Sequence, residues 1–247
     1  MKVDSAELSL VGNRQENQDR VSVIADTESL LLVAVDGMGG HAGGARAAEV
    51  TVETLRKAFF DVPRPVFDPQ GFLTLALGKA HENVVALSPD VALENKPRAT
   101  CAACLVQDGN AYWAHIGDSR IYHIRKNAIH ERTRDHSHVE LLLREGVISE
   151  KEIKDHPMRN FVECCLGGDV PLPDMSITGR KRLFPDDVLM VCSDGFWSGL
   201  QDDDFAAAVG DRDRDLEDAL RSLGETALVN SAPHADNTSA AALRWLG

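Results

Sequence analysis

The chain has 247 residues, of which 43% are hydrophobic and 26% are charged; this composition is ordinary for a globular protein and excludes a fibrous or disordered chain. Acidic residues outnumber basic ones by 39 to 26, which gives a formal net charge of −13. Such a surface repels phosphate backbones and anionic lipids, so we expect no binding to nucleic acid and none to membranes.

The chain shows no sign of export. No apolar run approaches the roughly 18 to 20 residues that a membrane-spanning helix needs. Asp4 and Glu7 lie where a secretory signal peptide would have a basic stretch followed by an apolar one. Five cysteines are an odd number and sparse for this length, which favours reduced thiols over a disulfide scaffold. We therefore expect a cytoplasmic protein, and we expect it to be a monomer.

The N-terminal third of the sequence predicts strands followed by helices. Short apolar stretches predict strands at 8–11, 21–24 and 30–35. Apolar residues then recur every three or four positions over 45–59, which predicts a helix with one apolar face. A second helix is predicted over 73–87, after a loop enforced by Pro63, Pro65 and Pro69.

The rest of the chain returns to the strand pattern. Strands are predicted at 102–106, 111–116, 121–124, 188–192 and 238–243, with a helix over 216–223. Because two consecutive helices separate the two groups of strands, strict alternation of strand and helix is absent. The pattern therefore favours an α+β fold over a doubly wound parallel sheet.

Residues 136–165 form a polar, helical insertion. Within it, Ser149 and Glu152 have the spacing of a capping box. Pro157 disfavours helical geometry at the residue before it. A short helix is predicted over 149–155.

Five aspartates lie next to predicted strands. They are Asp19, Asp36, Asp118, Asp194 and Asp236. Aspartate is common in turns, and for any one of these residues alone a turn is the better explanation. Four of them, however, are joined to a glycine or an asparagine, which permits a tight turn and a close approach of the backbone.

If these turns converge, the carboxylates must be neutralised. Two carboxylates about 4 Å apart repel by about 4 kcal/mol at an effective dielectric constant of 20. Bound cations are the usual remedy, and a purely oxygen donor set suits Mg²⁺ or Mn²⁺ better than zinc. A pair of such ions supports in-line attack of water on phosphorus.

The motifs that contain these acids resemble those of a known family. They are Arg14-x-x-Asn17-Gln18-Asp19, Asp36-Gly37-Met38-Gly39-Gly40-His41, Gly117-Asp118-Ser119-Arg120, Ser193-Asp194-Gly195 and Asp236-Asn237. Their order and spacing resemble the metal-dependent serine/threonine protein phosphatases of type 2C, the PPM family, over nearly the whole chain. The resemblance implies one catalytic domain, 1–247, built from two packed antiparallel β-sheets flanked by helices, with 136–165 as a flap.

The resemblance also implies a metal site. Asp36 would bridge two Mn²⁺ or Mg²⁺ ions, with the Gly37 carbonyl as a further ligand. The remaining ligands of this pair would be Asp19, Asp194 and Asp236, some of them through water. Asp118 together with Asp194 resembles the ligand set of a third, weaker metal.

The implied reaction hydrolyses phosphoserine and phosphothreonine by direct attack of a metal-bound hydroxide. Arg14 resembles the residue that binds the substrate phosphate, as a bidentate guanidinium can. His41 resembles the general acid that protonates the leaving oxygen. Asp36 is catalytic because its loss would disrupt the metal bridge, and Asn237 is expected to orient a ligand. The substrates would be proteins that a bacterial Ser/Thr kinase has phosphorylated.

The sequence departs from the family pattern at two places. In the flap, Glu163-Cys164 stands where the family usually has Thr-Arg, which should alter how the flap meets a phosphoprotein. Gln18 stands where many members have Glu, which removes one charge beside the metals. Neither change affects a predicted direct ligand.

Other chemistries fit the sequence less well. Gly37-x-Gly39-x-x-Ala42 is a partial dinucleotide fingerprint, but Asp36 would face the pyrophosphate and a second helix follows instead of a parallel strand. The chain has no P-loop motif, and no cysteine is followed by an arginine six residues later. Cys101-x-x-Cys104 lies in a strand-like stretch, which favours buried thiols over redox or zinc chemistry.

Two alternative functions remain on the same scaffold. A catalytically weak phosphoprotein-binding module would usually have lost a metal aspartate, and all five are present together with Arg14 and His41. A hydrolase of small phosphoesters is poorly distinguished by sequence. Asp135-His136-Ser137-His138 is interpreted as the entry to the flap, with solvated histidines, instead of as a metal site.

Overall fold

The structure, a computed structural model, describes residues 1–38, 42–88 and 90–247. The described residues form thirteen strands: β1 (Val3–Leu10), β2 (Asp19–Ala25), β3 (Ser29–Met38), β4 (Arg98–Ala99), β5 (Cys101–Gln107), β6 (Asn110–Ile116), β7 (Arg120–Arg125), β8 (Ala128–Arg132), β9 (Leu166–Gly167), β10 (Ser176–Ile177), β11 (Lys181–Arg182), β12 (Val188–Cys192) and β13 (Thr238–Trp245). The α-helices of these ranges are α1 (Ala42–Asp61), α2 (Pro69–Val85), α3 (His138–Arg144), α4 (Glu150–Ile153), α5 (Asp194–Trp197), α6 (Asp202–Gly210) and α7 (Leu216–Ser231).

The strands build two antiparallel sheets. One has the order β1-β13-β12-β7-β8, and the other has the order β10-β6-β5-β3-β4-β9, with β11 also paired to β6 and β2 paired to β3. Every strand pair in the described part of the chain is antiparallel. The two helices after β3 therefore do not lead into a parallel strand, which removes the dinucleotide-binding interpretation.

Strand β3 shows how the layers are stacked. Leu30, Leu32 and Ala34 face the core between the two sheets, where they join residues of β12 and β13. The alternate residues, such as Leu31 and Val33, face a second core beneath α1 and α2. Since both faces of the strand are covered, its sequence reads as a continuous apolar run.

A third core completes the sandwich. It lies on the far side of the other sheet, where α5, α6 and α7 pack against β12 and β13. The order of layers is thus helices, sheet, sheet, helices. The predicted α+β class with two packed antiparallel sheets is confirmed.

The structure differs from the sequence prediction at several boundaries. β1 begins five residues earlier than predicted and ends at Leu10, so Val11 lies outside it. Pro69 is the first residue of α2 instead of part of the loop, because proline suits the first helical position and the Asp68 side chain caps the Gly71 N–H. β8 and α6 were not predicted, since β8 is an edge strand with exposed alternate residues.

The insertion 136–165 contains α3 and α4. The capping box of Ser149 and Glu152 is present, and the predicted helix is shorter, ending at Ile153. Backbone hydrogen bonds close the base of the insertion, from His138 N to Phe161 O and from Glu163 N to His136 O. None of the described helices combines the length and the apolar character needed to span a bilayer.

Candidate metal centre

The sheet that contains β2 and β3 brings two of the predicted acids together. Asp19 and Asp36 are direct partners in the antiparallel register of these strands. The Asp36 carbonyl accepts a hydrogen bond from Thr100 N at 2.9 Å. Two aspartates separated by 17 positions in sequence are therefore neighbours because the β2–β3 pairing places them so.

The other sheet supplies the remaining acids. Asp194 begins α5 directly after β12, and Asp236 lies two residues before β13, the neighbour of β12. Asp118 lies in the turn between β6 and β7, which connects the two sheets. Ser193 Oγ donates a hydrogen bond to Asp19 Oδ2 at 2.6 Å and thereby joins the two sheets at the site.

The acids affect one another's ionisation. Burial raises the pKa of Asp36 well above its ordinary value, and the charges of the other four raise it further: Asp194, Asp19, Asp118 and Asp236. Asp36 and Asp194 remain partly accessible to solvent. Burial also raises the pKa of Asp194, again followed by the charges of neighbouring aspartates. The predicted set of metal ligands stays a prediction.

Asp19 and Asp118 are more deeply buried than the other acids. Burial raises the pKa of Asp19 to about 6, although hydrogen bonds from Ser193 and Ser239 oppose the shift. Burial and the charge of Asp135 raise the pKa of Asp118 to about 6. Carboxylates whose pKa is raised by burial and by neighbouring like charges are typical of functional sites.

The donor set fits hard divalent cations. All five side chains offer carboxylate oxygens, the ligands that Mg²⁺ and Mn²⁺ prefer. Asp118 Oδ1 is buried and has no hydrogen-bond partner among the described residues. In the same part of the chain, no group of three or more acidic, histidine or cysteine side chains is arranged so that it could hold a metal ion. The described acids therefore act on one another as like charges without forming a complete set of ligands.

Gly37 permits the close packing that the site requires. Its N–H donates to the Gln18 carbonyl at 3.2 Å. A Cβ at this position would collide with the Gly44 carbonyl in the first turns of α1 and lie 2.8 Å from the Gln18 carbonyl. A glycine is needed here because backbone approaches it from two directions.

Arg14 lies beside the acids, on the segment between β1 and β2. Its guanidinium donates to Asp236 Oδ2 at 2.6 Å and is 56% exposed. The pKa of Arg14 is raised first by Asp236 and then also by Asp194 and Asp36. The Arg14 guanidinium thus lies at the edge of the group of acids, with an exposed face that can bind an anion.

Asn237 holds the segment that carries Arg14. Its Oδ1 accepts from Gln18 N at 2.8 Å, and its Nδ2 donates to the carbonyls of Val11 and Glu16 at 2.8 and 3.0 Å. The sequence assigned Asn237 only the orientation of a ligand. In the structure it fixes both ends of the loop from 11 to 18.

The predicted general acid lies outside this description. His41, together with Gly39 and Gly40, is not among the described residues. Its assignment stays a prediction.

In the flap, Glu163, one of the residues that depart from the family pattern, has a hydrogen-bond partner. Its carboxylate accepts a hydrogen bond from His138 Nδ1 at 2.8 Å. His136 Nε2 is 2.9 Å from Ser176 Oγ, so the two histidines at the entry to the flap are hydrogen-bonded instead of merely solvated. Cys164 packs against the core beneath α1 and α2.

Cys101 and Cys104 are buried on opposite faces of β5, one in each neighbouring core. The prediction of buried thiols is thus confirmed. Burial raises the pKa of both thiols well above the ordinary value, which makes them poor nucleophiles.

Sequence reasoning missed the residues that hold the acids in place. Ser193 bonds Asp19, and Ser119 Oγ lies 2.6 Å from Thr100 Oγ1 beside Asp36. Trp197 Nε1 donates to the Asp118 carbonyl at 3.0 Å. These serines stand within the quoted motifs, but no spacing rule shows which partner each one binds.

Comparisons with known proteins agree with the site. A family model for protein phosphatase 2C matches residues 9–231. Protein phosphatase PhpP of Streptococcus pneumoniae is 31% identical over 231 residues, which are 92% of this chain and 91% of that protein. The structure of the S. agalactiae serine/threonine phosphatase has 27% identity and a TM-score of 0.88, with both chains covered completely.

A further solved structure bears on the metals. The catalytic domain of serine/threonine protein phosphatase PstP, in complex with two manganese ions, has 26% identity and a TM-score of 0.81, with 99% of each chain covered. The present chain belongs to the protein phosphatase 2C family. It is a metal-dependent protein serine/threonine phosphatase, and its substrates are phosphoproteins.

Proposed function

We propose that four of the five aspartates would hold two divalent cations, Mn²⁺ or Mg²⁺, with Asp36 as the ligand that the two cations share. The Gly37 carbonyl and the carboxylates of Asp19, Asp194 and Asp236 would complete this pair. The observations that support the proposal are the pairing of Asp19 with Asp36 in neighbouring strands and the hydrogen bond of 2.6 Å from Ser193, next to Asp194, to Asp19 Oδ2. Like charges this close are tolerated where cations bind.

A weaker third site is proposed at Asp118 and Asp194. Asp118 Oδ1 is buried without a hydrogen-bond partner in the described ranges, and an unpaired buried carboxylate oxygen is costly unless something binds it. The charge of Asp118 is the first among those that raise the pKa of Asp194. This oxygen is therefore available to a cation shared with Asp194.

Bound divalent ions supply a water-derived nucleophile near neutral pH and polarise the phosphoryl oxygens. Arg14 is proposed to exchange its contact with Asp236 for a bidentate contact with the substrate phosphate, since its guanidinium is more than half exposed. His41 is proposed to protonate the seryl or threonyl oxygen as it leaves. Asn237 keeps Arg14 within reach by holding its loop.

The biological setting is also part of the proposal. We propose that the enzyme opposes a bacterial Ser/Thr kinase, that 1–247 is one catalytic domain with 136–165 as its flap, and that it acts as a monomer. A cytoplasmic location and no binding to membranes or nucleic acid fit the net charge of −13. All five cysteines are free thiols, which suits a reducing compartment.

The test is hydrolysis of a phosphothreonine peptide by the metal-free protein, the protein with Mn²⁺ and the protein with Mn²⁺ plus chelator. We expect turnover only with free Mn²⁺. Equal rates with and without chelator would contradict the proposal. A sugar phosphate assayed in parallel separates a protein phosphatase from a hydrolase of small phosphoesters, and lack of turnover with both substrates would favour a binding module.

A further inference from the structure

Trp197 connects two segments of the candidate site that are far apart in sequence. It is the last residue of α5, three positions after Asp194. Its indole Nε1 donates a hydrogen bond of 3.0 Å to the carbonyl oxygen of Asp118. The turn that carries Asp118 is thereby tied to the helix that begins with Asp194.

Arg120 fixes the orientation of this indole ring. Its guanidinium carbon lies 3.3 Å from the centre of the Trp197 ring. The same group donates from Nε and NH2 to the two oxygens of Asp135, both at 2.8 Å, and from NH1 to the Tyr122 hydroxyl at 3.2 Å. The side chains of Arg120 and Asp135 are only 12% and 9% exposed. A planar guanidinium held at both edges gives the ring one position.

The contact acts on the backbone of Asp118 and leaves one oxygen of its carboxylate available. Asp118 Oδ1 is buried and receives no hydrogen bond from the described residues. A carbonyl held in place fixes the peptide plane and hence the direction in which the side chain leaves the backbone. Substitution of residues that orient ligands in this way typically lowers metal affinity by about 10- to 100-fold.

We propose that Trp197, held by Arg120 and Asp135, is a positioning residue. It fixes the orientation of Asp118 relative to Asp194, so that both carboxylates can bind a cation. This inference rests on the proposed function of the five aspartates. It assigns a role to a tryptophan that acts through the backbone of Asp118. We call Trp197, Arg120 and Asp135 the brace.

The test compares three variants with the wild type. Trp197→Phe keeps an aromatic face for Arg120 but lacks the N–H group. Arg120→Lys keeps the charge but lacks the planar fork. Trp245→Phe is the matched control, because Trp245 packs in the core between the sheets, away from the acids. Mn²⁺ is titrated into each metal-free protein by calorimetry, and thermal unfolding is followed in EDTA.

We expect Trp197→Phe to weaken the weakest Mn²⁺ binding step about tenfold or more. Arg120→Lys should weaken the same step, and Trp245→Phe should match the wild type. The unfolding temperature of Trp197→Phe in EDTA should change little, because the phenyl ring keeps the apolar contact of Trp197 with the core beneath α5, α6 and α7. Turnover of a phosphopeptide at low Mn²⁺ should fall in the two brace variants and recover at high Mn²⁺.

A merely structural role for Trp197 would lower the unfolding temperature in EDTA and leave Mn²⁺ affinity unchanged, which would overturn the proposal. Equal weakening by Trp245→Phe would also overturn it. If Trp197→Phe does not fold, Arg120→Lys decides by the same criteria. Failure of the wild type to bind Mn²⁺ would reject the proposed function itself, whereas normal wild-type binding with an unaffected Trp197→Phe would reject only the brace.

Discussion

The two ends of strand β12 carry aspartates in opposite electrostatic situations. Asp187 precedes the strand and is 1% exposed, yet it accepts hydrogen bonds from Arg125 at 2.8 Å, Phe184 N at 2.9 Å and His123 at 3.0 Å. Burial opposes its ionisation, but Arg125 and His123 outweigh burial and hold the pKa of Asp187 below its ordinary value. At the other end, Asp194 faces further acids, and its pKa lies well above the ordinary value.

The difference shows how one residue type serves two purposes in one strand. The carboxylate of Asp187 is compensated by donors from its own chain, so its charge stabilises the fold. The carboxylate of Asp194 is surrounded by like charges, so its ionised form destabilises the metal-free fold until a cation arrives. Compensation by the protein marks a structural site, and its absence marks a binding site.

The largest expected effect is the loss of activity in Asp36→Asn. The amide retains the shape of the side chain but cannot bridge two cations, so we expect turnover of a phosphothreonine peptide to fall about a thousandfold or more. The metal-free protein should become more stable, because one of several repelling charges is gone. Activity assays and thermal unfolding in EDTA measure the two effects. Asp213→Asn, at an exposed turn, is the control, and turnover near the wild-type rate in Asp36→Asn would reject its assignment.

The opposite result is expected at the other end of β12. Asp187→Asn leaves the charge of Arg125 without its partner and removes the carboxylate bonded to the His123 ring, which should lower the free energy of unfolding by about 3 kcal/mol. The affinity for Mn²⁺ should not change, since Asp187 is compensated within its own cluster. Denaturant unfolding and calorimetric titration test both statements. A loss of Mn²⁺ affinity with unchanged stability would contradict the structural role that we assign to Asp187.

The pH dependence of stability also tests the difference between acids that the protein compensates and acids that it does not. The pKa values of Asp19 and Asp118 are raised to about 6 from an ordinary 3.8. Their contribution to stability is therefore fully present below about pH 4 and is lost as the pH rises through 6. Bound Mn²⁺ offsets this loss, so the increase in unfolding temperature caused by Mn²⁺ should be several degrees at pH 7.5 and shrink towards pH 5.

The measurement must take the difference between samples with Mn²⁺ and samples with EDTA at each pH. Burial and the neighbouring His136 lower the pKa of His115 to about 4, so acid destabilises the fold below about pH 6.5 through this group. That contribution is common to both samples and cancels in the difference. A Mn²⁺ effect that is independent of pH would show that the acids do not bind the ion.

The sequence predicts the acids of the site better than it predicts the residues that hold acids in place. Asp36 follows the apolar run of β3 but lies within the strand, Asp194 follows β12, and both stand in motifs whose order is diagnostic, so both residues and their fold could be predicted. Asp187 gave no such signal, because its partners His123 and Arg125 are 64 and 62 positions away. The brace was missed for the same reason, since the Trp197–Asp118 contact spans 79 positions. Long-range partners of polar side chains depend on packing, which local patterns do not encode.

The smallest expected effect concerns Gln18, one residue before Asp19. Its N–H donates to Asn237 Oδ1, and its carbonyl accepts from Gly37 N, so its backbone is fixed beside Gly37, a proposed ligand. Gln18→Glu adds a negative charge beside a cluster that already repels, and it does so without changing the length of the side chain. The metal-free protein should therefore unfold at a slightly lower temperature, while Mn²⁺ should bind severalfold more tightly.

These two changes must occur together, because both arise from the same added charge. Raising the ionic strength should diminish both of them, since the charge is partly exposed to solvent. Calorimetric titration and thermal unfolding in EDTA, each at low and high salt, measure them. A destabilised metal-free protein whose Mn²⁺ affinity is unchanged would mean that position 18 disturbs packing without contributing to the field at the metals.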